Sequence, residues 1–288
     1  MITGTTKLLG VIGYPIAHSL SPVMHNAAIA HLGVDYVYLP FPIAPEHLSE
    51  AVVGLEAIGV QGFSVTIPHK QAIMSLLSEV SAIAQAIGAV NTVCRTEQGW
   101  FGTNTDVEGF LAPLREQSRD WSQTIAVVLG NGGAARAVVA GCAQLGCAKV
   151  QVVGRTPQKL QSFLTSWTNS PLTVNLSVHE WETLPELLPH AELVVNTTPI
   201  GMHSQAEESP LNLVEMQQLS SGIIVYDLIY TPRPTRFLQQ AQSQGAIIID
   251  GLEMLVQQGV VALQLWLQCP APVEVMRRSL LDYLSRRK

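Results

Sequence analysis

Residues 124–130, TIAVVLG, form an apolar run that leads directly into Gly130-Asn131-Gly132-Gly133-Ala134-Ala135, and a stretch of small helix formers, AARAVVAGCAQLG, follows. The spacing is G-x-G-x-x-A. The first glycine suits a tight turn, the second lets the backbone approach a pyrophosphate, and the small last residue lets helix and strand pack closely. The helix start adds unpaired N–H groups and the positive end of its dipole, both favourable to phosphate. A glycine pattern alone is weak, but behind an apolar strand and before a helix it points to a βαβ unit of a dinucleotide-binding sheet. Gly130, Asn131, Gly132, Gly133 and Ala134 are therefore expected at a dinucleotide.

The runs that follow agree. AKVQVVG (148–154), AELVVNT (191–197), GIIVYDL (222–228) and GAIIID (245–250) are continuous and rich in Val and Ile. Such strands belong in a parallel sheet covered on both faces by helices. The first part of the chain also alternates. KLLGVIG (7–13), DYVYLPF (35–41), GFSVTI (62–67) and AVNTVCR (89–95) read as strands. Residues 45–58 are apolar with helical period, and residues 68–87 read as helical. Ser21-Pro22 is expected to open a helix with serine as N-cap and proline at the first helical position. The last forty residues read as two helices broken at Cys269-Pro270-Ala271-Pro272. Repeated β-α alternation gives the α/β class. A length of 288 residues accommodates two domains. The polar stretch REQSRDWSQ marks a boundary within 105–123, and a second crossing falls near 250.

Composition narrows the function classes. The chain is 47% hydrophobic and only 13% charged, with net charge −6, so a nucleic-acid role has no electrostatic footprint. Arg277, Arg278, Arg286, Arg287 and Lys288 are read as the positive end of a helix complementing its dipole. No apolar stretch reaches the length of a membrane span, and LLGVIGYPIA (8–17) lacks a following small-residue cleavage site. The four cysteines, Cys94, Cys142, Cys147 and Cys269, show neither CxxC pairing nor a histidine at ligand spacing. They read as reduced core residues of a cytoplasmic protein, with no metal site.

The end of the second strand of the glycine unit specifies the dinucleotide. An NAD site usually carries an acid there for the ribose 2′-hydroxyl. Here VQVVG ends in Gly154-Arg155-Thr156, with Lys159 close behind. A guanidinium can pair a 2′-phosphate that an acid would repel, which favours NADP.

Polar residues interrupt the first half where a simple core would be apolar: His18-Ser19-Leu20-Ser21-Pro22 with Met24-His25-Asn26, then Ser64-Val65-Thr66-Ile67-Pro68-His69-Lys70, Gly88-Ala89-Val90-Asn91-Thr92, and Gly102-Thr103-Asn104-Thr105-Asp106. Taken singly, each is ordinary cap or turn chemistry. Together with GNGGAAR, DLIYTPxxT and GLEMLVQQ, in that order from about residue 8 to 267, they resemble the shikimate dehydrogenase family. The resemblance implies an N-terminal α/β substrate domain over 1–107, completed by C-terminal helices over 251–288, and a Rossmann-type NADP-binding domain over 108–250. It implies reversible NADPH-dependent reduction of 3-dehydroshikimate to shikimate, on the route to chorismate and aromatic amino acids.

By the same resemblance, Ser19 and Ser21 hold the substrate carboxylate. Thr66, Asn91, Asp106 and Gln258 bond the ring hydroxyls, Tyr230 is a further substrate contact, and Lys70 stands beside the reacting oxygen. Lys70 and Asp106 are the catalytic pair, the lysine donating the proton and the aspartate orienting it. Around the cofactor the resemblance adds Gly154, Arg155, Thr156, Lys159, Thr197, Thr198, Met202, Leu228, Gly251 and Met254, with Asn196 in the same loop. The chain departs from the family pattern at Ser64 and Gly154, where asparagine is common, and at Lys159, where a second arginine is frequent. His18, His25 and His69 are expected to make structural hydrogen bonds. The partner is a small-molecule substrate, without nucleic acid or membrane; a homodimer is compatible with the sequence. Three alternatives remain: a quinate/shikimate dehydrogenase of dual specificity, a non-catalytic NADP-binding sensor, and a folate-type methylene dehydrogenase. The retained Lys70 and Asp106 disfavour the second, and HSLSP and GxNTD the third.

Overall fold

A computed structural model of the chain describes residues 2–168 and 170–286. The chain divides into two compact units. One runs to Gly109 and resumes at Leu255; the other is Phe110–Met254.

The first unit contains a six-stranded mixed sheet: β1 (Lys7–Gly13), β2 (Tyr36–Pro42), β3 (Gly62–Val65), β4 (Glu79–Val80), β5 (Thr92–Thr96) and β6 (Gly99–Thr103). The strand order is β2-β1-β3-β5-β6-β4. The strand β1 pairs in parallel with β2 and β3, whereas β5 runs antiparallel to both β3 and β6. Register places Ile12 beside Val65 and Ser64 beside Thr92, so the ends of β1, β3 and β5 lie together. Ile12, Val52, Phe63, Val65, Ile73 and Val93 fill the core beneath, with Trp100 edge-on to Phe63 at 5.1 Å.

The second unit is a parallel sheet of β7 (Ile125–Leu129), β8 (Lys149–Gly154), β9 (Leu176–Glu180), β10 (Leu193–Asn196), β11 (Ile224–Asp227) and β12 (Ile247–Ile249). Its order is β12-β11-β10-β7-β8-β9, so the winding reverses between β7 and β10. In open α/β sheets ligands bind beyond the carboxyl ends of the strands at such a reversal. Every residue of β10 and β11 is buried, as two covered faces require. Among the described residues, no helix is long and apolar enough to cross a membrane.

Several sequence expectations need correction. The helix Ser21–Leu32 begins one residue earlier than expected: Leu20 is its N-cap and Ser21 is already helical, with no side-chain cap bond. Ser21's hydroxyl reaches Tyr38 instead. Residues 68–87 are not one helix. A short 3-10 turn (Ala72–Leu76) gives way to β4, which pairs with β6, and a new helix (Ala82–Ile87) starts where the Ser81 side chain accepts from Ala84 N–H. The strand expected from 89 begins at Thr92, and β6 and β9 carry no continuous apolar signal. In the last helix (Val273–Ser285), Arg277 lies in the first half and pairs with Glu274. Arg286 stands at the C-cap position. Arg287 and Lys288 lie outside the described residues.

Candidate functional site

In the first unit the loops 88–92 and 102–106 close on each other through Asn91. Its carboxamide oxygen accepts from Thr105 N–H at 2.7 Å and from the Thr92 hydroxyl at 3.0 Å. Its amide nitrogen donates to Asp106 Oδ1 at 2.8 Å and Thr105 Oγ1 at 3.0 Å. Asn104 ties the same loops, donating to Ala89 O at 3.0 Å and accepting from Asp106 N–H at 3.0 Å. This last bond turns the chain into the helix Asp106–Arg115, so Asp106 sits in its first turn. The other carboxylate oxygen of Asp106 receives Lys70 Nζ. The two side chains keep only 15% and 8% of their surface. Lys70 is itself held by backbone, its carbonyl accepting from Val90 N–H at 2.8 Å. A pair so enclosed is weakly screened by solvent, and with Asn91 behind it the aspartate fixes where the ammonium points.

The other substrate-site candidates of this unit are held by bonds of their own. Thr66 extends β3, its N–H donating to Ile12 O at 3.0 Å. Ser19 and Ser21 are neighbours, Ser21 N–H donating to Ser19 Oγ at 3.3 Å. Gln258 lies in the helix Leu252–Leu267, with its amide bonded to Leu255 O. Tyr230 lies in the second unit, on the segment after β11. Of the three motif histidines, His69 bonds Ile43 O at 2.7 Å as expected. His25 does not. It is fully buried, neither ring nitrogen has a hydrogen-bond partner, and its ring stacks on Tyr38 at 4.3 Å. Burial without a partner pushes its pKa down to about 3, so the imidazole is neutral.

In the second unit the glycine turn leaves β7 at Gly130, whose φ of +103° only glycine adopts readily. A Cβ there would stand 2.7 Å from Thr197 Oγ1. Gly132 is the N-cap of the helix Gly133–Leu145 and provides no side-chain cap, so the first amides of that helix remain open to an anion. Asn131 and Ala134 flank them. Gly154 ends β8 and Thr156 is the N-cap of the helix Pro157–Thr165; Arg155 and Lys159 are exposed there. At the reversal point, Thr197 donates to Leu129 O at 2.7 Å. Thr198 donates to Asn196 Oδ1 at 2.7 Å, and Met202 follows in the same loop. Gly251 passes against the Leu228 carbonyl so tightly that any Cβ would collide with it, and Met254 is buried three residues on. A cationic strand end, open helix amides and a close-packed glycine turn fit a dinucleotide bearing an extra phosphate.

Sequence reasoning gave no role to Asp227, at the end of β11. It is fully buried and accepts from Thr235 Oγ1 at 2.6 Å, Asn196 Nδ2 at 3.0 Å and Ile229 N–H at 3.1 Å. Burial raises its pKa to about 6 against the lowering effect of those bonds. It ties the segments that follow β10 and β11. A carboxylate closing an otherwise apolar strand, as in GIIVYDL, is the signal that could have found it.

The doubly wound parallel sheet, with its glycine turn at the reversal, and the enclosed lysine–carboxylate pair together define a dinucleotide-dependent oxidoreductase of the α/β class. Residues 11–93 match the family model described as "Shikimate dehydrogenase substrate binding domain", and residues 251–281 match "Shikimate 5'-dehydrogenase C-terminal domain". The chain is 67% identical over 287 residues to a shikimate dehydrogenase (NADP(+)) of Nostoc sp., covering 99% of both chains. A solved shikimate dehydrogenase in complex with NADP+ superposes with TM-score 0.89 at 36% identity, over 99% of this chain and 98% of that one. The Listeria monocytogenes enzyme, solved with shikimate and NAD, gives 0.86 at 33%, over 97% and 98%. The chain belongs to the shikimate dehydrogenase family.

Proposed function

We propose that the chain catalyses the reversible, NADPH-dependent reduction of 3-dehydroshikimate to shikimate, a step toward chorismate and the aromatic amino acids. The observation that carries this is the Lys70–Asp106 pair, fixed by Asn91 beside the clustered polar loops of the first unit. In this reading residues 1–107 and 251–288 take the substrate and residues 108–250 take NADP. Gly130, Asn131, Gly132, Gly133 and Ala134 would hold the pyrophosphate. Arg155, Thr156 and Lys159 would hold the 2′-phosphate, with Gly154 letting them turn toward it. Thr197, Thr198, Met202, Leu228, Gly251 and Met254 would line the remainder of the cofactor. When bound, the reduced nicotinamide supplies the hydride.

The chain's own residues do the rest. Ser19 and Ser21 bind the ring carboxylate; Thr66, Asp106, Tyr230 and Gln258 bind the hydroxyls, and Asn91 reaches one by exchanging its bond to Thr105 Oγ1 for the substrate. A site that hydrogen-bonds each hydroxyl rejects analogues lacking them, because its buried groups are then left unpaired. Lys70 hydrogen-bonds the ring carbonyl oxygen and gives it a proton as negative charge develops there. Asp106 holds the ammonium in place and accepts from the neighbouring hydroxyl. In the reverse direction Lys70 takes the proton back.

The same reading makes the protein a cytoplasmic enzyme whose partners are small molecules, with neither nucleic acid nor membrane; the net charge of −6 supports the first exclusion. A homodimer is its proposed assembly, to be settled by sedimentation. The deciding test is NADPH oxidation on adding 3-dehydroshikimate to the purified chain, run beside 3-dehydroquinate and NADH. Turnover of dehydroshikimate with NADPH is expected. Tight NADPH binding without turnover of either substrate refutes the proposal, and comparable rates with both substrates make the enzyme dual-specific.

A further inference from the structure

Tyr38 lies on β2, fully buried, in a motif that neither the catalytic pair nor the cofactor site uses. Its phenol donates to Ser64 Oγ at 2.9 Å and also hydrogen-bonds Ser21. The surroundings hold the residue at both ends. Asn26 accepts from Tyr38 N–H at 2.9 Å and donates to Tyr38 O at 2.8 Å and to Pro22 O at 2.9 Å, which fastens β2 to the helix that begins at Ser21. The His25 ring lies flat on the tyrosine, with centroids 4.3 Å apart and planes 16° apart, and Trp266 packs tilted against both rings, 5.4 Å from His25 and 5.8 Å from Tyr38. His25 brings no hydrogen bond to this stack, so what it provides is a neutral, flat surface. Burial raises the phenol's pKa, so Tyr38 keeps its hydrogen throughout the working pH range.

We infer that Tyr38 is a positioning residue for the substrate carboxylate, acting through the hydroxyl of Ser21. The inference rests on the proposed role of Ser21. A phenol has one hydrogen and two neighbours here. While it is given to Ser64, the oxygen can only accept from Ser21, whose own hydrogen then points inward. A carboxylate arriving at Ser21 needs that hydrogen. Rotating three O–H bonds, with no heavy atom moving, reverses the line: Ser64 donates to Tyr38, Tyr38 to Ser21, and Ser21 to the carboxylate. Each bond in such a line strengthens the next, so the terminal hydroxyl becomes a better donor to an anion. His25, Asn26 and Trp266 keep the ring from turning away.

The test is Tyr38→Phe, which removes one oxygen and preserves the stack, with a melting curve as control of folding. The KM for shikimate should rise about 5- to 10-fold, the loss expected for one hydrogen bond. Both kcat and the KM for NADP+ should stay within about twofold. With the methyl ester of shikimate, which carries no anion, parent and variant should differ by less than about twofold. In a Ser21→Ala background Tyr38→Phe should add less than about twofold, because its route to the substrate is gone. An unchanged KM for shikimate, an equal rise with the ester, or full additivity in the cycle overturns the inference. If Ser21→Ala itself leaves the KM for shikimate unaltered, the carboxylate role of Ser21 fails and this inference falls with it.

Discussion

Replacing Lys70 by alanine separates chemistry from structure at the centre of the site. The side chain does two things that the substitution removes together. It neutralises an aspartate that retains 8% of its surface, and it presents an ammonium whose direction is fixed by that aspartate and, behind it, by Asn91. Loss of the first function leaves one oxygen of Asp106 without its cation while the other keeps the Asn91 amide. Breaking a buried pair on one side costs about 3 kcal/mol, and the small exposure leaves little screening to reduce it. The melting midpoint should fall by about 5–10 °C. Loss of the second function removes the proton donor at the reacting oxygen, and kcat should fall by about 10²-fold or more with a modest change in KM. The assay is steady-state nicotinamide absorbance at saturating substrate, with melting measured on the same samples. Asp106→Asn provides the comparison, since it retains the shape of the pair while removing its charge. Small primary amines added to Lys70→Ala should recover part of kcat, which a merely structural tie does not predict. A kcat within about threefold of the parent, alongside the lowered midpoint, would refute the catalytic assignment and leave Lys70–Asp106 as a brace between loops.

Three further outcomes follow from charge placement. Arg155→Asp puts an acid where the 2′-phosphate is proposed to bind, and should lower the NADP/NAD ratio of kcat/KM by about 10- to 100-fold, the worth of a charge-assisted pair and its reversal; an unaltered ratio counts against Arg155. Asp227 has its folded pKa raised to about 6 from 3.8, so the stability it contributes is full below about pH 3.8 and is lost as pH rises through about 6. Asp227→Asn, free of that ionisation, should therefore gain on the parent by about 2.5 kcal/mol between pH 4 and pH 7.5, read as diverging melting midpoints, whereas parallel curves would show that the carboxylate ionises without cost. His25 has its folded pKa lowered to about 3 from 6.5, so its contribution is full above about pH 6.5 and drains away as pH falls toward 3. His25→Phe, which keeps the stack on Tyr38, should lose less stability than the parent from pH 6.5 to pH 4, by about 3 kcal/mol; equal losses would mean that acid protonates other groups first.

Local signals and contact signals had different fates. The parallel sheet of the second unit was legible because its central strands bury both faces, so Ile125–Leu129 and Leu193–Val195 read as apolar runs. The glycine turn was legible because a φ of +103° at Gly130 restricts the residue itself. The first unit mixes directions and builds its site from strand ends and turns, where the determinants are partners far along the chain. Residues 68–87 looked helical because their apolar spacing is helical, yet the pairing of Glu79–Val80 with Phe101–Gly102 and the cap at Ser81 divide them. Neither is visible without β6, whose Gly99–Thr103 carries only an alternating burial pattern.

The site shows the same division more sharply. Lys70, Asn91 and Asp106 could be named through family resemblance, but their hierarchy could not. Asn91 commits both amide hydrogens and its oxygen to the protein, making it the residue that orients the aspartate before any substrate arrives. His25 looked like a hydrogen-bonding residue because histidine usually is one. Its place against both Tyr38 and Trp266 makes it a packing surface, and only the three-dimensional cluster reveals that. Asp227 escaped notice for a related reason: a carboxylate at the end of an apolar strand reads as a return to solvent, whereas here three donors, one from the end of β10 and two from the segment after β11, enclose it. In each case residue type sets what a group can do, and the partners brought in from elsewhere in the chain select which of those things it does. Polar residues that are buried and saturated therefore organise the site, and those with a hydrogen or lone pair still to give are the ones left to meet a ligand.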